Sequence, residues 1–125
     1  MDILHIMAGA AHGGAETACI DMVLAMHESG QRVGLVTRTN PRNQRLIDAG
    51  IPVYTLPFGG AIDIYTPFAL KRIFKQFRPQ IVQTWMSRAA AKTPRWAPSM
   101  GIPRYTVVSR LGGYYALKYF KNTDF

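Results

Sequence analysis

The chain has 125 residues, room for one domain with a sizeable core, and its 48% hydrophobic and 18% charged residues make a globular balance. No apolar run approaches the roughly 18 residues needed to span a bilayer, and Asp2 stands where a secretory leader would carry basic residues, so neither is expected. The net charge of +8 is unevenly spread: residues 1–31 hold four acids and no Lys or Arg, and all fifteen basic residues, ten of them Arg, follow in 32–125. An Arg-rich excess suits bidentate contacts to phosphate or carboxylate, so nucleic acid, an anionic membrane surface or a phosphorylated substrate would fit as partners, and a solvated basic face that keeps the chain soluble is the alternative. The single cysteine, Cys19, excludes an internal disulfide, points to the cytoplasm and reads as a small buried hydrophobe.

In chain order, an apolar strand is expected over Ile3–Met7. The loop Ala8–Gly14 then opens into a helix over Ala15–Ser29. Gly9, Gly13 and Gly14 let backbone N–H groups approach a ligand, and the helix start adds unpaired donors and a partial positive charge that suit phosphate or carboxylate. The same glycines would serve a tight turn that needs only their φ angles, and glycines alone do not separate the two readings. The dinucleotide fingerprint G-x-G-x-x-G is absent, because Ala11 stands at its second glycine and Thr37–Arg38–Thr39 replaces the acid after the second strand. A Walker A loop is excluded as well, since Gly13 is followed by Gly14 and Ala15.

Cys19, Met22, Val23 and Met26 repeat at helical spacing, and Gly30 ends that helix. A strand over Arg32–Thr37, a short helix over Asn43–Ala49 stopped by Gly50, and a strand over Pro52–Leu56 follow. After the loop Pro57–Ile64, Thr66 reads as an N-cap and Pro67 as the first residue of a helix that runs to Phe77, with Leu70, Ile73, Phe74 and Phe77 on one face. A strand over Ile81–Thr84, a helical turn near Ser87–Lys92, a stretch bounded by Pro94, Pro98 and Pro103, a strand over Tyr105–Val108 and a last helical piece, Tyr114–Phe120, complete the chain.

This alternation predicts an α/β fold, a doubly wound parallel sheet. Ligands of such sheets bind outside the carboxyl ends of the strands. The informative residues are therefore His12, Gly13 and Gly14 after the first strand, Arg38 and Asn40 after the second, Phe58–Gly60 after the third, Trp85–Arg88 after the fourth and Ser109–Gly113 after the fifth. Arg38, Arg88 and Arg110 share this rim with Trp85, Tyr114 and Tyr115, a mixture that would also stack nucleic-acid bases, although no nucleic-acid motif occurs. His5, His12 and His27 lack metal-ligand spacing, so no metal is expected, and His5 reads as packed within its strand. No nucleophile elbow or serine triad is present. Lys71, Arg72, Lys75 and Arg78 form a basic stripe beside Phe68, Ile73 and Phe74, readable as a membrane-facing surface or as the solvated side of a core helix.

Five stretches go further: M-x-I-L-H-I-x-x-G from Met1, H-G-G-A-E from His12, A-G-I-P-V from Ala49, I-V-Q-T-W-M-S-R-A-A from Ile81 and R-L-G-G-Y-Y-x-L-K-Y-F from Arg110. Over essentially the whole chain they resemble the N-terminal domain of a GT-B glycosyltransferase of family 4, in the bacterial branch that builds lipopolysaccharide cores. The resemblance implies two Rossmann-like domains facing across a cleft. Residues 1–125 would be the N-terminal acceptor-side domain, with the C-terminal donor-binding domain absent from this chain and the fragment inactive by itself. It further implies transfer of a sugar from a nucleotide-sugar to a lipopolysaccharide-type or other glycan acceptor, with no cofactor and no bound metal.

On this resemblance Gly13 and Gly14 match the family's loop near the donor phosphate and the transferred sugar. His12, Trp85, Ser87, Arg88, Arg110, Gly112, Gly113 and Tyr114 are the acceptor-side candidates, and no residue is assigned a catalytic role. Where many members carry a histidine after the fourth strand, Trp85 and Met86 stand here. The implied partners are a glycan or lipid-linked glycan acceptor, the nucleotide-sugar, and an anionic inner-membrane surface met by Lys71, Arg72, Lys75 and Arg78 from the cytoplasmic side; no nucleic acid is expected. The alternative is a basic nucleic-acid-binding α/β module without catalysis.

Overall fold

The computed structural model describes residues 1–8, 13–39, 41–57 and 65–110, with residues 13–16, 86–88 and 110 placed as backbone. The elements are β1 (Asp2–Met7), α1 (Gly13–Glu28), β2 (Arg32–Thr37), a 3-10 turn (Pro41–Asn43) that continues into α2 (Gln44–Asp48), β3 (Val53–Thr55), α3 (Tyr65–Phe77), β4 (Ile81–Trp85), α4 (Met86–Lys92), a 3-10 turn (Pro98–Met100) and β5 (Thr106–Arg110). The strands form one sheet in the order β3-β2-β1-β4-β5, every neighbouring pair parallel. The expected doubly wound parallel sheet is therefore the observed one.

The apolar strands explain the layering. β1 is buried from Ile3 to Met7 and β2 from Val33 to Thr37, so both faces of the sheet centre need a cover. On one face Leu4, Ile6, Val36 and Val82 pack against Leu70, Phe74 and Phe77 of α3 and against Tyr105. On the other, Met7, Leu35 and Trp85 pack against Cys19, Ile20 and Val23 of α1 and Leu46 of α2. Burying one such side chain contributes about 1.5–3 kcal/mol, and the two half-cores share the sheet between them.

The helix ends follow from local chemistry. Gly30 (φ 93°) closes α1, its N–H bonding to the His27 carbonyl at 3.1 Å while the Gln31 N–H reaches the Met26 carbonyl at 3.0 Å. Gly50 (φ 84°) closes α2 in the same way, with Ile51 bonded to Leu46 at 3.0 Å. α3 starts at Tyr65, slightly ahead of the expected cap at Thr66. Thr66 is buried within the first turn, and Pro67 sits third, where a missing N–H still leaves no intrahelical bond unmade. α3 presses closely on β2: a Cβ on Gly34 would lie 2.9 Å from Phe77 Cε2 and 3.2 Å from Leu4 Cδ1. Arg32 holds Phe77 there, its guanidinium 3.9 Å over the ring and its Nη1 donating to the Phe77 carbonyl at 2.7 Å.

Two strands reach further toward the carboxyl edge than expected, because pairing extends them. Trp85 pairs with Met7, and Ser109 and Arg110 pair with Thr84 and Trp85, which moves Trp85, Ser109 and Arg110 from loop into strand. The Thr84 hydroxyl also donates to Ser109 Oγ at 3.0 Å. Tyr105 stays before β5, its hydroxyl donating to the Pro94 carbonyl at 2.7 Å and its ring edge-on to Phe74 at 5.0 Å. Asn40, Phe58–Gly60 and the helical piece Tyr114–Phe120 lie outside the described residues.

Candidate functional site

With every strand parallel, all five carboxyl ends meet along one edge. The chain leaves β1 toward β2 and leaves β4 toward β5, in opposite directions, so a crevice opens between the carboxyl ends of β1 and β4. The register sets Met7, Trp85 and Arg110 in one row across this edge. Gly13 and Gly14 are the first two residues of the 16-residue α1. Their N–H groups belong to the four that no intrahelical carbonyl accepts, at the positive end of the helix. β4 enters α4 with no linker: Trp85 caps α4 in an extended conformation (φ −112°, ψ 119°), which puts Ser87 and Arg88 in its first turn. Arg38 follows β2, exposed, and its carbonyl accepts from the buried Asn43 at 3.2 Å. The edge thus brings together the positions of Gly13, Gly14, Arg38, Ser87, Arg88 and Arg110. His12, Gly112, Gly113 and Tyr114 lie outside the described residues.

Trp85 corrects an expectation. Its ring is 3% exposed, so it offers no face on which a sugar could stack. The physical reason is strand parity. Gln83 reaches Met22 of α1 at 3.8 Å, and Trp85, two residues on, points the same way into the α1-side core. There its indole N–H donates to His5 Nδ1 at 3.0 Å. Indole only donates, so the His5 proton sits on Nε2, facing Met26 Sδ at 3.2 Å. His5 is packed as expected, and desolvation lowers it from its ordinary 6.5 to about 4, which keeps it neutral.

Arg42 was not among the residues singled out. It lies in the 3-10 turn, beyond the residues that directly follow β2, and its Nη1 reaches Thr17 Oγ1 of α1 at 3.3 Å. One helical turn further along, Arg45 Nη1 stands 3.9 Å from Asp21 Oδ1. Arg42 is thereby held one turn from Gly13. The available signal was only its place in a loop at the carboxyl edge.

The basic stripe occupies another surface. Lys71, Arg72 and Lys75 are exposed along α3, and exposed Arg78 follows its end with φ 54°. Of the apolar residues beside the stripe, Ile73 and Phe74 are buried on the expected core face, whereas Phe68 is 65% exposed, as is Tyr65 at 58%. Among the described residues no three His, Cys, Asp or Glu side chains are grouped to hold a metal, and no helix is long and apolar enough to cross a membrane.

Comparison with known proteins adds identity to this geometry. The sequence profile described as Glycosyltransferase Family 4 matches residues 12–118. The chain is similar to the lipopolysaccharide core biosynthesis glycosyltransferase LpsD of Rhizobium meliloti (strain 1021), with 27% identity over 116 residues, 91% of this chain and 32% of that protein. LpsE of the same strain is 28% identical over 127 aligned residues, 99% of this chain and 35% of that protein. The chain spans about a third of the length of these relatives. Among solved structures it resembles Acinetobacter baumannii MurG (TM-score 0.60, 16% identity, 99% of this chain and 40% of that one). It also resembles the UDP-GlcNAc 2-epimerase of Methanocaldococcus jannaschii (TM-score 0.52, 11% identity, 74% and 27%). At such identities the structural likeness speaks for the fold. The nucleic-acid-binding alternative gains no support from any of these matches. With the profile matching nearly end to end, and the expected sheet beneath it, the chain belongs to glycosyltransferase family 4.

Proposed function

We propose that this chain is the acceptor-side, N-terminal half of a GT-B glycosyltransferase that moves a sugar from a nucleotide-sugar onto an anionic glycan of the lipopolysaccharide-core type. The observation that carries the reading is the composition of the carboxyl edge. The start of α1 at Gly13–Gly14 and the positions of Arg38, Arg42, Arg88 and Arg110 lie along the carboxyl edge that holds the β1–β4 crevice. In such a transfer the bond from the anomeric carbon to the diphosphate oxygen breaks, and the acceptor oxygen takes its place and loses its proton. The developing charge is on the leaving diphosphate. Preorganised N–H donors and cations stabilise it without covalent chemistry. Gly13 and Gly14 face that charge, and Arg88 and Arg110 hold phosphates or carboxylates of the acceptor. The nucleotide is held mainly by a second domain, with no cofactor and no resident metal.

The relatives LpsD and LpsE, named for lipopolysaccharide core biosynthesis, supply the acceptor class. A lipid-linked acceptor would bring the enzyme to the cytoplasmic face of a membrane as a peripheral protein. The exposure of Phe68 beside Lys71, Arg72 and Lys75 supports α3 as the contact. Calorimetry on the 125-residue chain tests the central reading. A phosphorylated core oligosaccharide should bind, with Arg110→Ala weakening it by about five- to tenfold. The chain alone should transfer no sugar. Tight, steeply salt-dependent binding to DNA or RNA, with no oligosaccharide binding, would overturn it.

A further inference from the structure

A run of three side chains lies beneath the carboxyl edge. Met26 of α1 meets His5 of β1, and His5 meets Trp85 of β4, through contacts of 3.2 and 3.0 Å. The His5 and Trp85 rings stand 6.1 Å apart, tilted by 38°. Both are buried, so water does not compete for the bond between them. Met7 is the register partner of Trp85 and Gln83 that of His5, so His5 reaches Trp85 diagonally, two residues along the neighbouring strand.

Trp85 is both the last residue of β4 and the cap of α4. Whatever fixes its side chain also fixes the direction in which the backbone enters α4. A hydrocarbon would fill the same volume as His5. The imidazole offers an acceptor to Trp85 and a donor to Met26 at once, and so ties α1, β1 and β4 together where Gly13 and Arg88 must hold their separation. We infer that His5 is a positioning residue: through Trp85 it sets the first turn of α4, and with it Ser87 and Arg88, against the start of α1. The consequence for ligand binding rests on the acceptor-side reading; the mechanical link does not.

Three variants test it. His5→Asn keeps an acceptor oxygen near the place of Nδ1. His5→Leu keeps apolar volume and leaves the indole N–H without its acceptor. His5→Leu/Trp85→Phe removes both partners, which relieves the unsatisfied donor. The readouts are the thermal midpoint, hydrogen exchange of the Ala90, Ala91 and Lys92 amides, which bond the carbonyls of the first turn of α4, and binding of a phosphorylated core oligosaccharide. His5→Leu should speed α4 exchange and weaken oligosaccharide binding about tenfold, and His5→Asn should bring both back to within about twofold. The double variant should regain thermal stability without regaining α4 protection or affinity. If affinity instead follows the thermal midpoint through all three variants, or if His5→Leu leaves α4 exchange unchanged, the inference is overturned. Should the parent chain bind no oligosaccharide, the acceptor-side reading fails, and α4 exchange still decides the role of His5.

Discussion

Burial keeps His5 neutral in the folded chain down to about pH 4, whereas in the unfolded chain it titrates at its ordinary value of 6.5. Between these values the unfolded state binds more protons. Its contribution to stability is therefore fully present above pH 6.5 and is lost progressively as the pH falls toward 4. The loss at pH 5 should be on the order of 2 kcal/mol. Urea unfolding at pH 7 and pH 5 checks this, because His5→Asn should lack that part of the pH slope. Gly34 makes a second residue-level prediction. A methyl group there meets the Phe77 ring, which carries Arg32 on its face and packs in the core, so Gly34→Ala should cost about 1–3 kcal/mol by overcrowding. A lowered urea midpoint with an unchanged slope is the expected signature. Neither consequence was legible in the sequence. A glycine or histidine inside an apolar strand says that it is packed but not against what, because Phe77 and Trp85 arrive from far along the chain. Trp85 read as a rim residue for the same reason: its direction depends on which face of β4 meets α1.

At the scale of elements, local chemistry is strong and the sequence says most. Gly30 and Gly50 end α1 and α2 where their φ angles require glycine, and β2 falls on the expected residues. β4 and β5 run longer because their extent is set by pairing across the sheet, which no local pattern encodes. α3 was legible in outline, its inward face Leu70, Ile73, Phe74 and Phe77 being the expected one. Its outward face carries the membrane prediction. Phe68, Lys71, Arg72 and Lys75 are exposed together, and each basic residue near an anionic surface contributes about 1 kcal/mol. The chain should co-sediment with anionic vesicles at low salt and not with neutral ones. Lys71→Glu/Lys75→Glu should reduce that binding by about thirtyfold or more. Equal binding to both vesicle types, or no effect of the double reversal, would exclude α3 as the contact.

At the scale of the whole molecule, the strand order β3-β2-β1-β4-β5 decides where a ligand can lie. The carboxyl edge followed from the alternation of strands and helices, since a parallel sheet gathers its loops at one edge, but the order, and with it the crevice between β1 and β4, did not. The individual occupants were less legible: Arg42 joins the edge only because its turn folds back onto α1 at Thr17. Isotope-labelled NMR on the 125-residue chain, titrated with a phosphorylated core oligosaccharide, tests the central claim most directly. Amide shifts should concentrate at Gly13, Gly14, Ser87, Arg88 and Arg110. The amino-edge cleft bordered by Asp2, Arg32, Arg78 and Gln80 should stay silent. Shifts confined to that cleft, or none anywhere while an oligonucleotide perturbs the carboxyl edge, would contradict the acceptor-side assignment.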